Sequence, residues 1–325
     1  TDDPRPCIVI AVCTRGRNTP LRRLIISIWL QPLPDDYRVV LLIVDNNDVS
    51  SVDTALDGLS DHFPICVVHE PRTGLVYARN RAFDEAVALG ALWLIGVDDD
   101  EWVATNWLEE MVSGFERLGQ QIIIAPTRFV YDDDLSPYLR QAQFPVREKG
   151  HRPAVAACGN FALHRCVFDP AHGPALRFDT YFNERGAEDT EFFRRAERQH
   201  DIVAAALPSA LAYEDRSGPR ATLGYALHST LRAQLTWFQI AQRHRQMGLY
   251  GSRWRNAVLI LRRTKTMSLR TVSSAVWGLA NYPIRRAKAQ RNLGRAMLSA
   301  ARLCAIVLFV AGMSIKPYSA RGKSG

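Results

Sequence analysis

Four apolar runs rich in β-branched residues punctuate the N-terminal part of the chain: Cys7–Cys13, Val39–Val44, Ile65–Val68 and Ala91–Val97. Continuous apolar runs of this length belong to strands buried on both faces, as in a parallel sheet covered by helices. The segments between them have helical character: Leu21 to Trp29, a weak helix within residues 50–60, and the stretch after Gly74 that includes Ala78 to Ala86. Trp107 to Leu118 is amphipathic and leads to a fifth strand at Ile122 to Ala125. This alternation predicts a mostly parallel α/β sheet flanked by helices. Ligands of such sheets bind beyond the carboxyl ends of the strands. Thr14, Asp45 and Asp98 are each the first polar residue after a run, so they are expected to line one crevice.

The fourth run ends in Asp98-Asp99-Asp100-Glu101. Like charges crowded at a strand end cost electrostatic energy unless a cation accompanies them. A solvated loop is one explanation, and a divalent metal that holds phosphates is the other. Asp98 and Asp100 form a D-x-D pair, whose alternate side chains face the same way if the chain is extended. Hard oxygen donors suit Mg²⁺ or Mn²⁺, and Mg²⁺ shares its coordination sphere with substrate phosphates.

Other chemistries lack support. No G-x-G-x-x-G follows the first strand, and Gly322-Lys323-Ser324 has Pro317 where a P-loop needs glycine. There is no G-x-S-x-G, and no Cys/His cluster has zinc-ligand spacing. A second acidic pair, Glu188-Asp189, follows Gly186 in the first turn of an expected helix, where the helix dipole favours negative charge. Asp132-Asp133-Asp134 reads as a solvated turn. Ala156 to Leu163 reads as a strand with Gly159 where a ligand approaches closely.

Charge divides the chain. Of 41 Lys and Arg, twenty lie from Arg216 onward, where there is no Asp or Glu; residues 1–215 keep 21 basic residues against all 33 acids. A basic third on an acidic body points to an anionic partner, a membrane surface or a nucleic acid. On a helical wheel Lys288, Arg291, Arg295 and Arg302 share a face with Asn292 and Ser299, while Leu293, Met297, Ala300 and Cys304 point away. Leu303 to Met313 is then apolar all round, too short to span a bilayer alone, so an in-plane amphipathic helix is expected. The six cysteines contain no CxxC pattern and the chain opens on polar Thr1-Asp2-Asp3-Pro4, which predicts a cytoplasmic protein.

Four pieces in order resemble glycosyltransferase family 2 with the GT-A fold: Cys13-Thr14 with Arg17, Ile43-Val44-Asp45-Asn46, Gly74 through Ala78-Arg79-Asn80, and Asp98-Asp99-Asp100-Glu101 with Trp107-Leu108. A fifth, Gly186-Ala187-Glu188-Asp189-Thr190-Glu191-Phe192, resembles the acceptor-side E-D motif. The D-D-D-E and G-x-E-D-T-E-F forms are most similar to the exopolysaccharide, succinoglycan-type glucosyltransferase branch.

The resemblance implies a GT-A catalytic domain over residues 1–220, a Rossmann-like and mostly parallel sheet, and a basic helical, membrane-associating region over 221–325. It implies an inverting, metal-dependent hexosyltransferase that moves sugar from a nucleotide-sugar, a UDP-hexose, to a lipid-linked saccharide or polysaccharide intermediate at the cytoplasmic membrane face, as a peripheral or monotopic protein. Thr14, Arg17, Asp45, Arg79 and Asp98 would bind the nucleotide-sugar. Asp100 and Asp98 would hold Mg²⁺ or Mn²⁺. Asp189 would be the general base with Glu188 beside it, and Gly159 and Asn160 would border the acceptor. The Q-x-x-R-W motif of processive synthases is missing, which favours single addition, and Ala212 to Arg216 lacks the metal-binding His often found there. The alternatives are a nucleotidyltransferase, or a non-catalytic module for membrane or nucleic acid. The last is disfavoured by the lack of strand-borne aromatics of RNA readers.

Overall fold

The computed structural model describes residues 3–50, 52–59, 64–131, 136, 138–139, 158–248 and 253–313, without the side chains of 253–263. The Asp132 to Asp134 triplet lies outside the described residues.

Strands β1 (Cys7–Thr14) and β2 (Arg38–Asp45) run parallel, with Thr14 opposite Asp45. β3 (Ile65–His69) extends the sheet beyond β2, and β4 (Ala91–Asp98) pairs with the other side of β1, setting Cys13 opposite Asp98. The apolar runs of β1, β2 and β4 end at Thr14, Asp45 and Asp98, so pairing in register carries these three polar ends to one edge. Thr14, Asp45 and Asp98 therefore meet as the sequence predicts.

Beyond β4 the order departs from simple alternation. β6 (Ile122–Ile124) does not pair with β4; β8 (Asn160–His164) lies between them, antiparallel to both, and β9 (Ala204–Ala206) closes the sheet parallel to β6. The order is β3-β2-β1-β4-β8-β6-β9. A smaller sheet, β5-β10-β7, is formed by β5 (Glu101–Val103), β10 (Ala212–Asp215) and β7 (Thr127–Val130), with Glu214 opposite Glu101.

Alternate residues of β1 feed opposite faces of the large sheet. Ile8, Ile10 and Val12 pack with Leu21, Leu24 and Ile25 of α1 (Asn18–Trp29) and with Trp107 and Phe115 of α4 (Trp107–Leu118). Val9 and Ala11 pack with Phe83 of α3 (Leu75–Ala88), Phe168 of α5 (Arg165–Phe168) and Phe192 of α6 (Glu188–His200). The weak helix expected within residues 50–60 is a single turn, α2 (Asp53–Leu56). Burying each large apolar side chain contributes about 1.5–3 kcal/mol. Two apolar faces on one sheet thus fix the strand order that the site needs.

The start of α3 is set by Gly74. Its φ of +134° is open to glycine alone, and the Asn183 side chain fills the space where a Cβ would stand. Asn183 Oδ1 accepts from Val76 N at 3.2 Å, so it caps the helix that carries Arg79.

The chain divides into two units: Thr1–Phe129, Pro145–Asn183 and Glu188–Asp215; and Val130–Phe144, Glu184–Ala187 and Arg216–Gly325. The second unit holds α7 (Leu223–Gln246), α8 (Arg253–Asn281) and α9 (Arg286–Val310). α9 packs on both α7 and α8, and its buried residues are small, among them Ala289, Ala296, Ala301 and Ala305; Gly294 lies against the Tyr138 backbone. Phe238 of α7 stacks on Phe309 of α9 with centroids 5.1 Å apart. This packing inverts part of the wheel drawn from sequence. Ser299 is buried, whereas Met297 and Cys304 are exposed. Two neighbouring helices claim the small-residue side of α9, and that side outranks the polar arc in close packing. Among the described residues α9 is the one helix long and apolar enough to cross a membrane.

Candidate active site

At the end of β4 the chain does not stay extended. Asp98 closes the strand, Asp99 and Asp100 form a turn, and Glu101 begins β5. The turn overrides the alternate-facing geometry expected for Asp98 and Asp100, and it is Asp99 and Asp100 that share a partner. Arg17 Nη1 donates to Asp99 Oδ1 and to Asp100 Oδ2, each at 2.9 Å. Thr14 Oγ1 donates to Asp99 Oδ2 at 2.8 Å. Arg23 of α1 donates to the Asp100 carbonyl at 3.2 Å while its guanidinium lies 4.0 Å above the Trp102 ring, which itself stacks on Tyr213. The acidic turn is thus braced from α1 and from the loop before it.

Asp98 is held separately, by Arg79 Nη2 at 3.1 Å. The other terminal nitrogen of Arg79, Nη1, donates to Glu188 Oε1 at 2.7 Å. One buried guanidinium therefore joins the strand-end acids to the first turn of α6. Charge-assisted contacts of this kind are among the stronger hydrogen bonds in proteins. Burial opposes the charge on Arg79, yet Cys158, Asp98, Glu188 and Asp189 around it raise its pKa well above the ordinary value. Desolvation pushes the Asp98 carboxyl up to about 7 against the pull of Arg79, with Asp100 and Asp99 adding to the rise. Burial likewise raises Asp99, against Arg17 and the Thr14 hydroxyl. Three aspartates thus crowd the strand end around Arg17 and Arg79, and Arg79 is shared with Glu188.

Asp189 follows Glu188 and is half-buried; its Oδ1 accepts from the Thr190 N–H. Beneath Arg79 is a cavity of about 20 Å³, lined by Cys13, Phe83, Gly96, Asp98, Cys158 and Phe161 among others. That volume admits one water molecule.

Asp45 is fully buried at the end of β2. Its Oδ1 accepts from Asn47 N and Nδ2, and its Oδ2 from Ser50 Oγ. The carboxylate organises the loop after β2, beside Thr14. Asn160 has an internal role: it accepts from Trp107 Nε1 at 3.0 Å and donates to the carbonyls of Pro126 and Ala210. It ties α4 and two loops to β8. Gly159 faces Glu101, and a Cβ there would stand 2.6 Å from Glu101 Oε1.

Glu101 and Asp99 are the residues to which sequence reasoning gave no role. Glu101 is buried, accepts from Thr127 Oγ1 at 2.9 Å through Oε1, and leaves Oε2 without a hydrogen-bond partner. Burial raises its pKa well above the ordinary carboxylate value, helped by Asp98 and Glu214 and opposed by Thr127. A strand period at Glu101-Trp102-Val103, buried at both ends and open in the middle, is the signal that reveals it.

Residues 7–174 match the family described as Glycosyl transferase family 2. The chain is 28% identical over 235 residues to the succinoglycan biosynthesis protein ExoM of Rhizobium meliloti (strain 1021), covering 70% of this chain and 73% of that one. Among solved structures, it resembles the mannosyltransferase PcManGT from Pyrobaculum calidifontis in complex with GDP-Man and Mn²⁺, with TM-score 0.57, 14% identity and coverage of 94% of this chain and 87% of that one. It also resembles S. aureus TarS 1-349 in complex with UDP-GlcNAc, with TM-score 0.51, 14% identity and coverage of 97% and 95%. These likenesses show a common fold.

Proposed function

The chain belongs to glycosyl transferase family 2 with a GT-A fold, and from that premise we propose that it is an inverting, metal-dependent hexosyltransferase. The donor is a nucleotide-sugar, a UDP-hexose, and the acceptor is a lipid-linked saccharide or another polysaccharide intermediate. Likeness to a succinoglycan biosynthesis protein supports an exopolysaccharide role. Membership of a sugar-transferring family weighs against the nucleotidyltransferase alternative.

The observation that carries the proposal is the Arg79 bridge from Asp98 to Glu188. It brings two carboxylate groups together, and a single displacement can use two: one that holds a cation for the departing diphosphate and one beside the incoming hydroxyl. Thr14, Arg17 and Asp45 stand at the ends of β1 and β2 or in the loop after β1, where a nucleoside and its phosphates bind in sheets of this topology. Glu188 is committed to Arg79, which leaves Asp189 as the general base. Asp189 takes the acceptor proton as the acceptor oxygen bonds to the anomeric carbon and the bond from that carbon to the diphosphate breaks. Gly159 and Asn160 border the acceptor side through the elements they fix.

Asp100 and Asp98 are the proposed ligands of Mg²⁺ or Mn²⁺. Among the described residues no three His, Cys, Asp or Glu side chains form a closed metal cage. The donor set still fits: carboxylate oxygens supply part of the sphere, and Mg²⁺ characteristically takes the rest from water and phosphates. When bound, the metal offsets the charge that develops on the leaving diphosphate. A cytoplasmic membrane face is the proposed location, in keeping with the basic helical unit.

A panel of nucleotide-sugars, assayed for donor hydrolysis and binding with Mn²⁺ and with chelator, tests the reading. Turnover of a UDP-hexose that vanishes with chelator is expected, and Asp100→Ala should weaken donor binding only when Mn²⁺ is present. Metal-independent turnover, or Asp100→Ala binding like the parent, would overturn the metal assignment.

A further inference from the structure

α8 leaves one face uncovered. Leu269, Val272, Val276 and Leu279 are each 61–66% exposed, spaced three, four and three residues apart. At about 100° per residue this spacing gathers them into an arc of about 80°. The opposite side carries Gly278, which packs on α9: a Cβ there would stand 2.9 Å from Leu293 Cγ. α8 therefore spends one face inside its own unit and presents a continuous apolar stripe on the other, about 15 Å long at 1.5 Å per residue. Ile284, in the connection to α9, is 81% exposed and extends the apolar surface.

Cations bracket the stripe. Lys265 is exposed one turn before Leu269, on the same side of the helix, and Arg285 and Arg286 are exposed just past its end. No acid occurs anywhere from Arg216 to the end of the chain. A second copy of this surface would bring its own cations against these, so self-association here brings like charges together. A surface that is apolar inside and anionic at its boundary satisfies both features at once. Long basic side chains then lay their stems along the apolar layer and reach the headgroups.

We propose that the Leu269-Val272-Val276-Leu279 face of α8 is an in-plane docking surface for an anionic lipid bilayer. This inference rests on the membrane location proposed above and names the surface responsible. Each residue of the stripe sits at the headgroup boundary, and Lys265 with Arg285 and Arg286 supplies the dependence on anionic lipid.

The full chain is sedimented with vesicles of phosphatidylcholine alone and with vesicles containing phosphatidylglycerol. The parent should pellet with the anionic vesicles, less so in high salt, and be released by alkaline carbonate. Val272→Ser with Val276→Ser should cut partitioning by about tenfold or more, while Val272→Leu with Val276→Leu should bind at least as well as the parent. Donor hydrolysis in solution should be unchanged in both, which controls for folding. Parent-like binding by the serine variant overturns the proposal and leaves membrane association standing. Failure of the parent to bind either vesicle overturns the membrane location itself. Retention through carbonate would mean a span, and a parent dimer that the serine variant dissociates would assign the stripe to a second copy; either overturns in-plane docking.

Discussion

At the end of β4 three aspartates are divided between two guanidiniums, Arg79 taking Asp98 and Arg17 taking Asp99 and Asp100. At the start of α6 three acids stand in a helix's first turn: Glu191 pairs with Arg195, Glu188 shares Arg79 with Asp98, and Asp189 lies between them in sequence. Both groups collect carboxylates in a confined place, but they balance them differently. In the strand-end group desolvation pushes Asp98 up to about 7, with Asp100 and Asp99 adding to the rise. The helix-start group has one acid neutralised by a buried arginine and one left half-buried beside it. The first arrangement is the one proposed to take a cation. The second separates an ion-paired residue from a neighbour that can take a proton. Identical side-chain chemistry is thus balanced in two ways, because the neighbours decide which charge is satisfied.

The largest effect should come from Asp189→Asn, which keeps the shape and removes the proton acceptor. Loss of general-base catalysis typically costs about 10²–10⁴-fold in rate. Transfer in single-turnover assays should fall within that range while donor affinity stays at the parental value. A matching loss of donor affinity would mean that Asp189 belongs with the strand-end acids, and the contrast drawn between the two groups would collapse.

Breaking the link between them comes next. Arg79→Met leaves Glu188 buried without its guanidinium, and removing one partner of a buried pair destabilises by about 3–5 kcal/mol. Urea unfolding should show a loss on the order of 3 kcal/mol for Arg79→Met, and Arg79→Met with Glu188→Met should regain most of it, since apolar replacement of a whole buried pair is often near neutral. If the double variant is no better than the single one, Arg79 is anchored chiefly by Asp98, and the bridge is a strand-end feature alone.

The two groups were unequally legible. Thr14, Asp45 and Asp98 could be placed together from sequence because strand period and parallel pairing are local rules, and the apolar runs mark each strand end. Glu188 and Asp189 could be placed on a helix start, but not across Arg79 from Asp98, because that contact joins positions 109 residues apart. The same limit applies to β8, whose strand character was readable and whose place between β4 and β6 was not: antiparallel insertion depends on the fit of Phe161 and its neighbours into both cores. Asn160 illustrates the same limit: the resemblance set it at the border of the acceptor, and nothing in the sequence signals that its amide also ties Trp107, Pro126 and Ala210 together. In α9 the wheel failed at Ser299 because burial there follows from small residues opposite α7 and α8, which a single-helix pattern does not contain.

The smallest expected effect probes how tightly the strand-end group is packed. Gly159 has no left-handed backbone requirement; its constraint is space, since an added Cβ would meet Glu101 Oε1 at 2.6 Å. Glu101 cannot readily yield, being buried and held by Thr127. Overpacking a well-filled interior costs about 1–3 kcal/mol, so Gly159→Ala should lower stability toward the lower end of that range. In a Glu101→Ala background the same substitution should cost less, because the nearest oxygen is gone and only Thr127 Oγ1, at 3.3 Å, remains close. Unfolding midpoints for the four chains of this cycle check the coupling. Equal costs in both backgrounds would show that Gly159 answers to something other than Glu101, and that the acids at the end of β4 are looser than the buried pair across Arg79.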